Sequence, residues 1–197
     1  MSETALNVLA VIGSLQRESV TRVVVRHAAQ QIQAAGCAVD VLDLEQEPLA
    51  LYNPDTARGL SGYAELQARV HRADVILLGS PDYHGSISGA MKNFLDHFWH
   101  EFAGKLFATI VSSHEKGLTV TDQLRTVARQ CCAWSLPYGV SLHPQSDVKS
   151  GEITSDSLKQ RLEMLARDLR VYGTLIARQR RADLAGTDPG FLARHRE

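Results

Sequence analysis

The sequence predicts an α/β protein built on a doubly wound, parallel sheet. Short apolar runs alternate along the chain with longer segments in which apolar residues recur at helical spacing. The short runs are apolar throughout, as expected of strands that helices cover on both faces of a parallel sheet. Two of these runs lead directly into segments rich in Ser and Gly, and ligands bind in such sheets at the carboxyl ends of the strands.

Five strands and five helices follow in order from this alternation. The apolar runs predict strands over residues 6–12, 39–42, 75–79, 106–111 and 140–142. Helical spacing predicts helices over residues 19–34, 61–72, 88–102, 119–133 and 155–178. We expect one domain over residues 1–179, followed by a polar C-terminal tail over residues 180–197.

Turn and capping residues set the limits of these elements. Gly36 ends the first helix, and Ser61 is suited to cap the second. The segment between the second strand and the second helix contains Pro48, Pro54 and Gly59, so it is predicted to be a loop. The last helix is the longest, and its leucines form a continuous apolar face.

Composition argues against several classes of protein. The 197 residues, 44% hydrophobic and 22% charged, are enough to bury a core without disulfides or a metal ion. A net charge of -1 gives no electrostatic reason to expect binding to nucleic acid or to an anionic membrane. The apolar runs are shorter than the ~20 residues of a membrane span, and the N-terminus has no signal-peptide pattern. Three cysteines, two of them adjacent, fit a reducing compartment, so we expect a cytoplasmic protein.

The segment after the first strand, residues 13–19, is suited to bind a phosphate group. A helix N-terminus offers free N–H groups and the positive end of a dipole. Gly13 permits a sharp turn, and the motifs of dinucleotide-binding and nucleoside-triphosphate loops are both absent from the sequence. Spacing does not say which nearby arginine points inward. The candidate donor side chains are Ser14, Gln16, Arg17, Ser19, Thr21 and Arg22. The alternative is an ordinary strand–helix turn capped by Ser19.

The segment after the third strand, residues 80–89, is suited to bind a flat polar ring. Tyr83 offers a broad ring with a polar end, and Gly85 permits main-chain N–H and C=O groups to approach a ligand closely. His84 and Ser86 add hydrogen-bond donors. The alternative is a β-turn whose Tyr83 covers the edge of the core. A phosphate site beside a site for a polar ring indicates FMN.

The two segments together resemble the NAD(P)H-dependent FMN reductase family. The resemblance rests on Gly-Ser-Leu-x-x-x-Ser after the first strand and Pro-x-Tyr-x-Gly-Ser-x-x-Gly-x-x-Lys-Asn-x-x-Asp after the third. It implies a flavodoxin-like fold with a five-stranded parallel sheet of order 2-1-3-4-5. It also implies an oxidoreductase that passes hydride from NADPH or NADH through FMN to a small acceptor, which is a flavin, quinone, azo compound or metal oxyanion.

The resemblance also assigns site residues. It implies that the FMN phosphate is surrounded by Ser14, Gln16, Arg17, Ser19 and Thr21. It implies that the flavin ring is flanked by Pro81, Asp82, Tyr83, His84, Gly85 and Ser86, and by Ser112, Ser113 and His114 after the fourth strand. The family usually has Arg, Asn and Glu where this chain has Gln16, Thr21 and Asp82. No catalytic side chain and no metal ion is expected, because the redox chemistry belongs to the flavin.

Two other functions stay open from the sequence. One is a flavodoxin-type electron carrier, and the other is an FMN-binding module without intrinsic NAD(P)H oxidase activity. The net charge of -1 differs from the strongly acidic balance that such carriers often show. The resemblance implies a preference for NADPH over NADH, with Arg17, Lys116 and Arg125 as candidate cations for the 2′-phosphate.

The predicted helix over residues 88–102 carries more apolar surface than one sheet face needs. Its large apolar residues cover an arc of about 140° at about 100° per residue. They are Met91, Phe94, Leu95, Phe98, Trp99 and Phe102. We therefore expect a partner subunit, and the resemblance implies a homodimer or homotetramer. His97 and His100 lie three residues apart here, but no matching acidic or cysteine partner indicates a metal site.

Overall fold

In the computed structural model, which describes residues 5–196, helices cover both faces of a central seven-stranded sheet. The strands of this sheet are β1 (Asn7–Ile12), β2 (Ala38–Asp43), β3 (Val75–Tyr83), β4 (Ser86–Ile87), β5 (Leu106–Ser112), β6 (Trp134–Ser135) and β7 (Val140–Leu142). A separate hairpin consists of β8 (Val148–Lys149) and β9 (Glu152–Ile153). The helices are α1 (Val20–Ala34), α2 (Tyr63–Arg72), α3 (Gly89–Asp96), α4 (Leu118–Gln130) and α5 (Asp156–Ala185).

The strand order confirms the predicted fold class. Four strands pair in parallel in the order β2-β1-β3-β5. The outer edge of β5 then pairs with both β6, beside Leu106 and Phe107, and β7, beside residues 110–112. The predicted number of five strands is wrong, because two short strands share the outermost position and β4 pairs antiparallel with the end of β3.

Both faces of the sheet are buried, as the unbroken apolar runs predicted. In β1, Val8, Ala10 and Ile12 pack toward α1 and α5, whereas Leu9 and Val11 pack toward α2, α3 and α4. All five of these residues are at most 1% exposed. The loops at the carboxyl edge are therefore attached to a close-packed base.

The helix predicted to reach residue 102 is interrupted, because α3 ends at Asp96 and a 3-10 turn follows. The break turns Phe98 and Phe102 back toward Phe94, with ring centroids 5.5 and 6.1 Å from its own. Of the six apolar residues on the predicted arc, Trp99 alone is exposed, at 60%. Five of the six residues belong to the core, so the arc does not supply the excess surface from which a partner subunit was inferred, and the partner subunit stays a prediction.

The last helix continues further than predicted. α5 runs to Ala185, so residues 180–185, expected to lie in a polar tail, are helical. The segment after it folds back onto the domain, because Leu192 is 2% exposed and packs against Gly104. No helix within residues 5–196 is long and apolar enough to cross a membrane.

A buried lysine ties the end of α2 to the sheet. Lys105 lies directly before β5 and is fully buried, and its Nζ donates to the carbonyl oxygens of Val70 (2.5 Å) and His71 (2.9 Å). These carbonyls belong to the last turn of α2, where they have no partner within the helix. Burial lowers the pKa of Lys105 to about 7.

We expect Lys105 to make the stability of the fold depend on pH. Since its pKa lies below the usual 10.5, the unfolded chain binds more protons than the folded chain between about pH 7 and pH 10.5. The contribution of Lys105 to the free energy of unfolding therefore rises with pH across that window. Urea unfolding of the wild type and of Lys105→Met, at pH values below and inside the window, measures the contribution. The same difference between the two proteins at every pH would contradict it.

Candidate functional site

Three loops that follow β1, β3 and β5 meet at the carboxyl edge of the sheet. They are the first loop (residues 13–19), the hairpin (residues 82–87) and the second loop (residues 113–117). Gly13 N donates to the carbonyl oxygen of Gly79 (2.8 Å), and Ser88 Oγ donates to that of Gly13 (2.6 Å). Ser113 Oγ donates to the carboxylate of Asp82 (2.8 Å). A direct hydrogen bond therefore joins the hairpin to the second loop, and Gly79 and Ser88, on either side of the hairpin, join it to the first loop.

Arg22 holds the first loop from one side. Its Nη1 donates to the carbonyl oxygens of Gln16 (2.7 Å) and Arg17 (2.9 Å), and its Nη2 donates to that of Ser14 (3.3 Å). The same guanidinium binds the carboxylate of Asp43 at the end of β2, at 2.6 Å through Nε and 3.1 Å through Nη2. Arg22 is thus a brace for the loop, which sequence spacing did not reveal.

Asp43 keeps this brace in place. Burial alone would raise the pKa of its carboxyl, but hydrogen bonds from Arg22 and Arg26 outweigh burial and lower the pKa. The pair is therefore ionised at neutral pH. It is also shielded from solvent, since 12% of the Arg22 side chain and 3% of the Asp43 side chain are exposed. Removal of Arg22 leaves the buried Asp43 with the more exposed Arg26 (3.2 Å), and removal of Asp43 leaves Arg22 with the more distant Glu45 (3.7 Å). Either change therefore weakens a buried ion pair.

The carbonyl groups that face Arg22 set the direction of the N–H groups in the first loop. In a trans peptide the C=O and N–H bonds point in opposite directions, and no described peptide is cis. The N–H groups of Leu15, Arg17 and Glu18 therefore point away from Arg22, and no residue among 5–196 accepts a hydrogen bond from them. Ser19 caps α1 next to them, its Oγ accepting from Arg22 N (3.2 Å). Open donors beside a helix N-terminus are suited to bind an anion.

The side chains predicted to bind phosphate fall into two groups. Ser14 and Ser19 of the first loop and Thr21 of α1 are at most 4% exposed, so these side chains are buried. Gln16 and Arg17 are exposed on the outside of the loop. Their side chains therefore remain available to a ligand placed there.

The segment predicted to be a loop after residue 79 is a β-hairpin. β3 continues to Tyr83, and β4 returns antiparallel to it. Between the two strands, His84 and Gly85 have φ angles of 57° and 75°, as a type I′ turn requires. Asp82 supports the turn, because its Oδ1 accepts from Gly85 N (2.8 Å) while its Oδ2 accepts from Ser113 Oγ.

Two of the residues predicted to flank a ring are buried within paired strands of the sheet. Pro81 is buried in β3 directly beside Ser112 of β5, so neither side chain lies in an open loop. Tyr83, at 49%, and His84 are the exposed side chains of the hairpin tip. The part of this segment that is exposed to a ligand is therefore shorter than the predicted residues 80–89.

Gln123 of α4 is a site residue that sequence analysis missed. Its Oε1 accepts hydrogen bonds from Ser86 Oγ (3.0 Å) and Ile87 N (3.1 Å), which fixes the return strand of the hairpin. The sequence does not distinguish a glutamine that bonds a neighbouring strand from one that faces solvent, because both lie on the polar side of a helix. The role of Gln123 follows only from the packing of α4 against β4.

The second loop is anchored at both ends. Ser113 N donates to the carbonyl oxygen of Leu142 in β7 (2.9 Å). Gly117 precedes α4 with a φ of 59°, and a Cβ there would lie 2.6 Å from Cγ1 of Val111. His114 is exposed between these anchors.

A cleft of about 780 Å³ separates the hairpin from the second loop. It is lined by Asp82, Gly85 and residues 113–119. Its volume lies within the range of cofactor sites, and it opens to solvent. The carboxyl edge therefore combines open N–H donors beside a helix N-terminus with a cleft that opens to solvent.

The two histidines at residues 97 and 100 do not converge on one point. His97 Nε2 lies 3.1 Å from the carbonyl oxygen of Ala50, whereas the ring of His100 faces that of His195. Within residues 5–196 no group of three potential metal ligands occurs. Burial raises the pKa of the Cys131 thiol to about 11, so it stays protonated at neutral pH.

Residues 6–147 match the family described as NADPH-dependent FMN reductase. The chain belongs to this family. A similar protein is the FMN-dependent NADPH-azoreductase of Staphylococcus aureus strain USA300, which is 25% identical over 150 residues. That match covers 72% of this chain and 79% of the relative.

Solved structures share the fold of this family member at lower identity. The apo form of the NADH:FMN oxidoreductase EMOB is 19% identical, with a TM-score of 0.71 over 85% of this chain and 90% of that one. The flavoenzyme NAD(P)H:(acceptor) oxidoreductase FerB of Paracoccus denitrificans is 17% identical, with a TM-score of 0.70 over 89% of this chain and 98% of that one. The flavodoxin-like fold inferred from the motifs is thus confirmed.

The protein is a flavin-containing reductase whose cofactors are FMN and NADPH or NADH. The carboxyl edge fits FMN, because the outward N–H groups of the first loop match the chemistry of a phosphate. The cleft beside the hairpin is wide enough for a cofactor ring.

We expect Arg22→Lys to weaken binding of FMN and to leave binding of riboflavin unchanged. Lysine keeps a positive charge beside Asp43 but lacks the planar fork that reaches three carbonyl groups. The carbonyl groups then lose their shared donor, so the attached N–H groups are no longer held pointing away from it, which matters only for a flavin that carries a phosphate. Fluorescence titration of the apoprotein with both flavins is expected to show the Kd for FMN rising about tenfold.

The matched control is Arg26→Lys. Arg26 also contacts Asp43 (3.2 Å), but the structure shows no hydrogen bond from it to a carbonyl of the first loop. We expect this variant to bind both flavins as the wild type does. Equal losses for FMN and riboflavin in Arg22→Lys would show that the brace does not act through the phosphate.

Proposed function

We propose that the first loop binds the phosphate of FMN and that the hairpin and the second loop hold its ring. The observation that carries the proposal is the set of N–H groups that Arg22 turns outward at the start of α1. The family usually has an arginine where this chain has Gln16, and the positive charge of Arg17 replaces the charge that is missing there. The side chains that complete the phosphate site are those of Ser14, Gln16, Arg17, Ser19 and Thr21.

The proposed ring site lies in the cleft between the hairpin and the second loop. Asp82 and Gly85 of the hairpin line one side of the cleft, and the exposed His114 lines the other. Tyr83 and His84 are exposed at the hairpin tip next to it. The hydrogen bond between Asp82 and Ser113 (2.8 Å) fixes the spacing of these walls. The main chain of the walls is shaped by Pro81, Asp82, Gly85, Ser86, Ser112 and Ser113.

Bound FMN supplies the redox chemistry, accepting a hydride from NADPH or NADH and passing electrons to a small acceptor. The residues of this chain bind and orient the flavin and leave the cleft open on one side for the nicotinamide and the acceptor. The main contribution of the protein to catalysis is to hold the reacting groups in the right orientation, so no acid–base pair is required. Because a relative is named an azoreductase, an azo compound is the first acceptor to test, followed by quinones, free flavin and metal oxyanions.

We expect Ser19→Asp to release FMN. The new carboxylate still caps α1, but it repels the phosphate at the same point. Ser19→Asn is the matched control, since asparagine caps equally well without a charge. The Kd for FMN is expected to rise at least about tenfold in the Asp variant and to change little in the Asn variant.

The same proteins test the reductase assignment through aerobic NADPH oxidation. The wild type and Ser19→Asn are expected to consume NADPH, and Ser19→Asp to do so only at raised FMN. Wild-type protein that binds FMN but leaves NADPH unconsumed would indicate an electron carrier instead. Unchanged FMN affinity in Ser19→Asp would refute the phosphate site.

We propose that NADPH is preferred over NADH through Lys116. Lys116 lines the cleft, whereas Arg125 lies on α4 with Asp122 at 3.9 Å and is absent from the cleft wall. Arg17 is exposed on the first loop, on the phosphate side of the site. Lys116 is therefore the cation best placed for the 2′-phosphate of a nucleotide that visits the ring.

We expect Lys116→Gln to lower kcat/KM for NADPH about tenfold and to leave kcat/KM for NADH unchanged. Raised salt should narrow the preference of the wild type, since an exposed cation is screened. Arg125→Gln removes one charge nearby and serves as the control. Steady-state kinetics with both nucleotides measure these changes. An equal fall in kcat/KM for NADH would show that Lys116 does not recognise the 2′-phosphate.

We propose that a second copy of the chain covers the carboxyl edge and makes a homodimer or homotetramer. Large apolar side chains are exposed there on the first loop, on the 45–60 loop, on the hairpin and at the start of α4. They are Leu15 (57%), Leu51 (84%), Tyr52 (36%), Tyr83 (49%) and Leu118 (65%). Surface of this kind commonly marks an interface.

Light scattering is expected to give a mass at least twice the 21.7 kDa of one chain. Leu51→Glu and Leu118→Glu together should shift the protein toward monomer. Trp99→Glu, an exposed apolar site away from this edge, is the control and should not change the mass. A monomeric wild type at micromolar concentration would contradict the assembly.

We also propose the cytoplasm as the location of the protein. Cys37, Cys131 and Cys132 are all free thiols. Free thiols are typical of a reducing compartment, where NADPH is also available.

A further inference from the structure

A second cleft, of about 830 Å³, lies at the opposite edge of the sheet from the proposed flavin site. Its walls come from the end of α2, the 3-10 turn at residues 100–102, the last turns of α5 and the segment after α5. The first two lead into the starts of β3 and β5, which places the cleft at the amino edge of the sheet. The flavin site is built on the carboxyl ends of the same strands, so the two clefts are separate.

Positive charge is concentrated in this amino-edge cleft. The arginines in its wall are Arg180, Arg181, Arg194 and Arg196, against a single carboxylate. Arg181 pairs with Asp74 (2.9 Å), and within residues 5–196 the other three have no carboxylate at ion-pair distance. The one carboxylate, Glu101, accepts instead from Gln67 Nε2 (2.7 Å) and Trp99 N (3.2 Å).

The guanidinium groups without a carboxylate partner have hydrogen-bond donors to spare. Arg180 is anchored by a bond from Nε to the carbonyl oxygen of Ala103 (2.8 Å), and neither of its Nη atoms has an acceptor in the described part of the chain. The exposed Arg194 donates from Nη2 to Sγ of Cys132 (2.8 Å) and from Nε to Nε2 of His195 (3.4 Å), and its Nη1 has no acceptor in the described part of the chain. Both side chains can therefore donate into the cleft.

Histidines also line this cleft, next to the arginines. His71, His100 and His195 all line the cleft, and the Nδ1 atoms of His100 and His195 are 3.4 Å apart. Burial lowers the pKa of His195, and the nearby positive groups His100, Arg194 and Arg180 lower it further. An anion in the cleft would relieve the repulsion among the arginines.

We propose that the amino-edge cleft binds a small molecule that carries two or more phosphate groups. The unpaired guanidinium groups come from two separate segments, α5 and residues 193–196, so a ligand needs more than one anionic group to bridge them. Guanidinium forks bind phosphate oxygens in pairs. The cleft is also much larger than a single phosphate ion and lies within the range of cofactor-sized ligands. Such a ligand would fasten the C-terminal segment to α5.

Calorimetric titration of the FMN-loaded enzyme with tripolyphosphate, in a buffer free of phosphate, tests the proposal. FMN already occupies the phosphate site at the other edge, and unchanged flavin fluorescence shows that it is not displaced. We expect saturable binding at one site per chain, with a rise in Tm. Inorganic phosphate should bind at least about tenfold more weakly, because it cannot bridge the two segments.

Arg180→Gln and Arg194→Gln are each expected to raise the Kd for tripolyphosphate about tenfold. Arg194 is exposed, so its variant keeps the test valid if Arg180→Gln fails to fold. Arg178→Gln is the matched control, because Arg178 is exposed on the same helix and lies outside the cleft wall. Absence of saturable binding, or an equal loss in Arg178→Gln, would overturn the proposal. The result does not depend on which residues hold FMN.

Discussion

The carboxyl edge depends on one interaction, the fork of Arg22 onto Asp43 and the carbonyl groups of the first loop. Ile12, the last residue of β1, pairs in register with Asp43, so the carboxylate stands beside the point where the loop begins. Arg22 reaches it from the first turn of α1, three residues after the cap at Ser19. A strand, a helix and a loop are thus fixed by one buried ion pair. Because the carbonyl groups face inward to Arg22, the N–H groups of the loop face outward.

The rest of the site is tied to this loop before any ligand binds. Ser88, directly after the hairpin, donates to the carbonyl oxygen of Gly13, and Asp82 of the hairpin accepts from the second loop. Gln123 accepts from the return strand of the hairpin, β4. When a site is already ordered, less of the binding free energy is lost in ordering its loops. This order suits an enzyme in which the cofactor does the chemistry and the protein supplies position. It also explains why the family motifs consist mainly of Gly, Ser and other small polar residues.

Sequence patterns predicted the elements whose burial is periodic and failed where tertiary contacts decide. The unbroken apolar runs gave the four central strands, since strands buried on both faces have no polar side. The break after Asp96 carried no proline or glycine signal, so Phe98 and Phe102 were counted in one wide helical arc, whereas the 3-10 turn returns both to the core. Pro81 was interpreted as the start of a loop, although the pairing of β3 with β5 continues through it. Whole-chain charge was equally uninformative, because a net charge of -1 conceals the arginines gathered at the amino edge by the fold.

The proposed binding of the FMN phosphate by the outward N–H groups of the first loop can be tested directly. Backbone amide NMR spectra of the ¹⁵N-labelled apoprotein, recorded with FMN and with riboflavin, report on Leu15, Arg17 and Glu18 individually. We expect FMN to shift all three amide signals, as hydrogen bonds to a phosphate do, and riboflavin to leave them near their positions in the apoprotein. Saturation with FMN that moves hairpin signals but none of these three would contradict the proposed phosphate site.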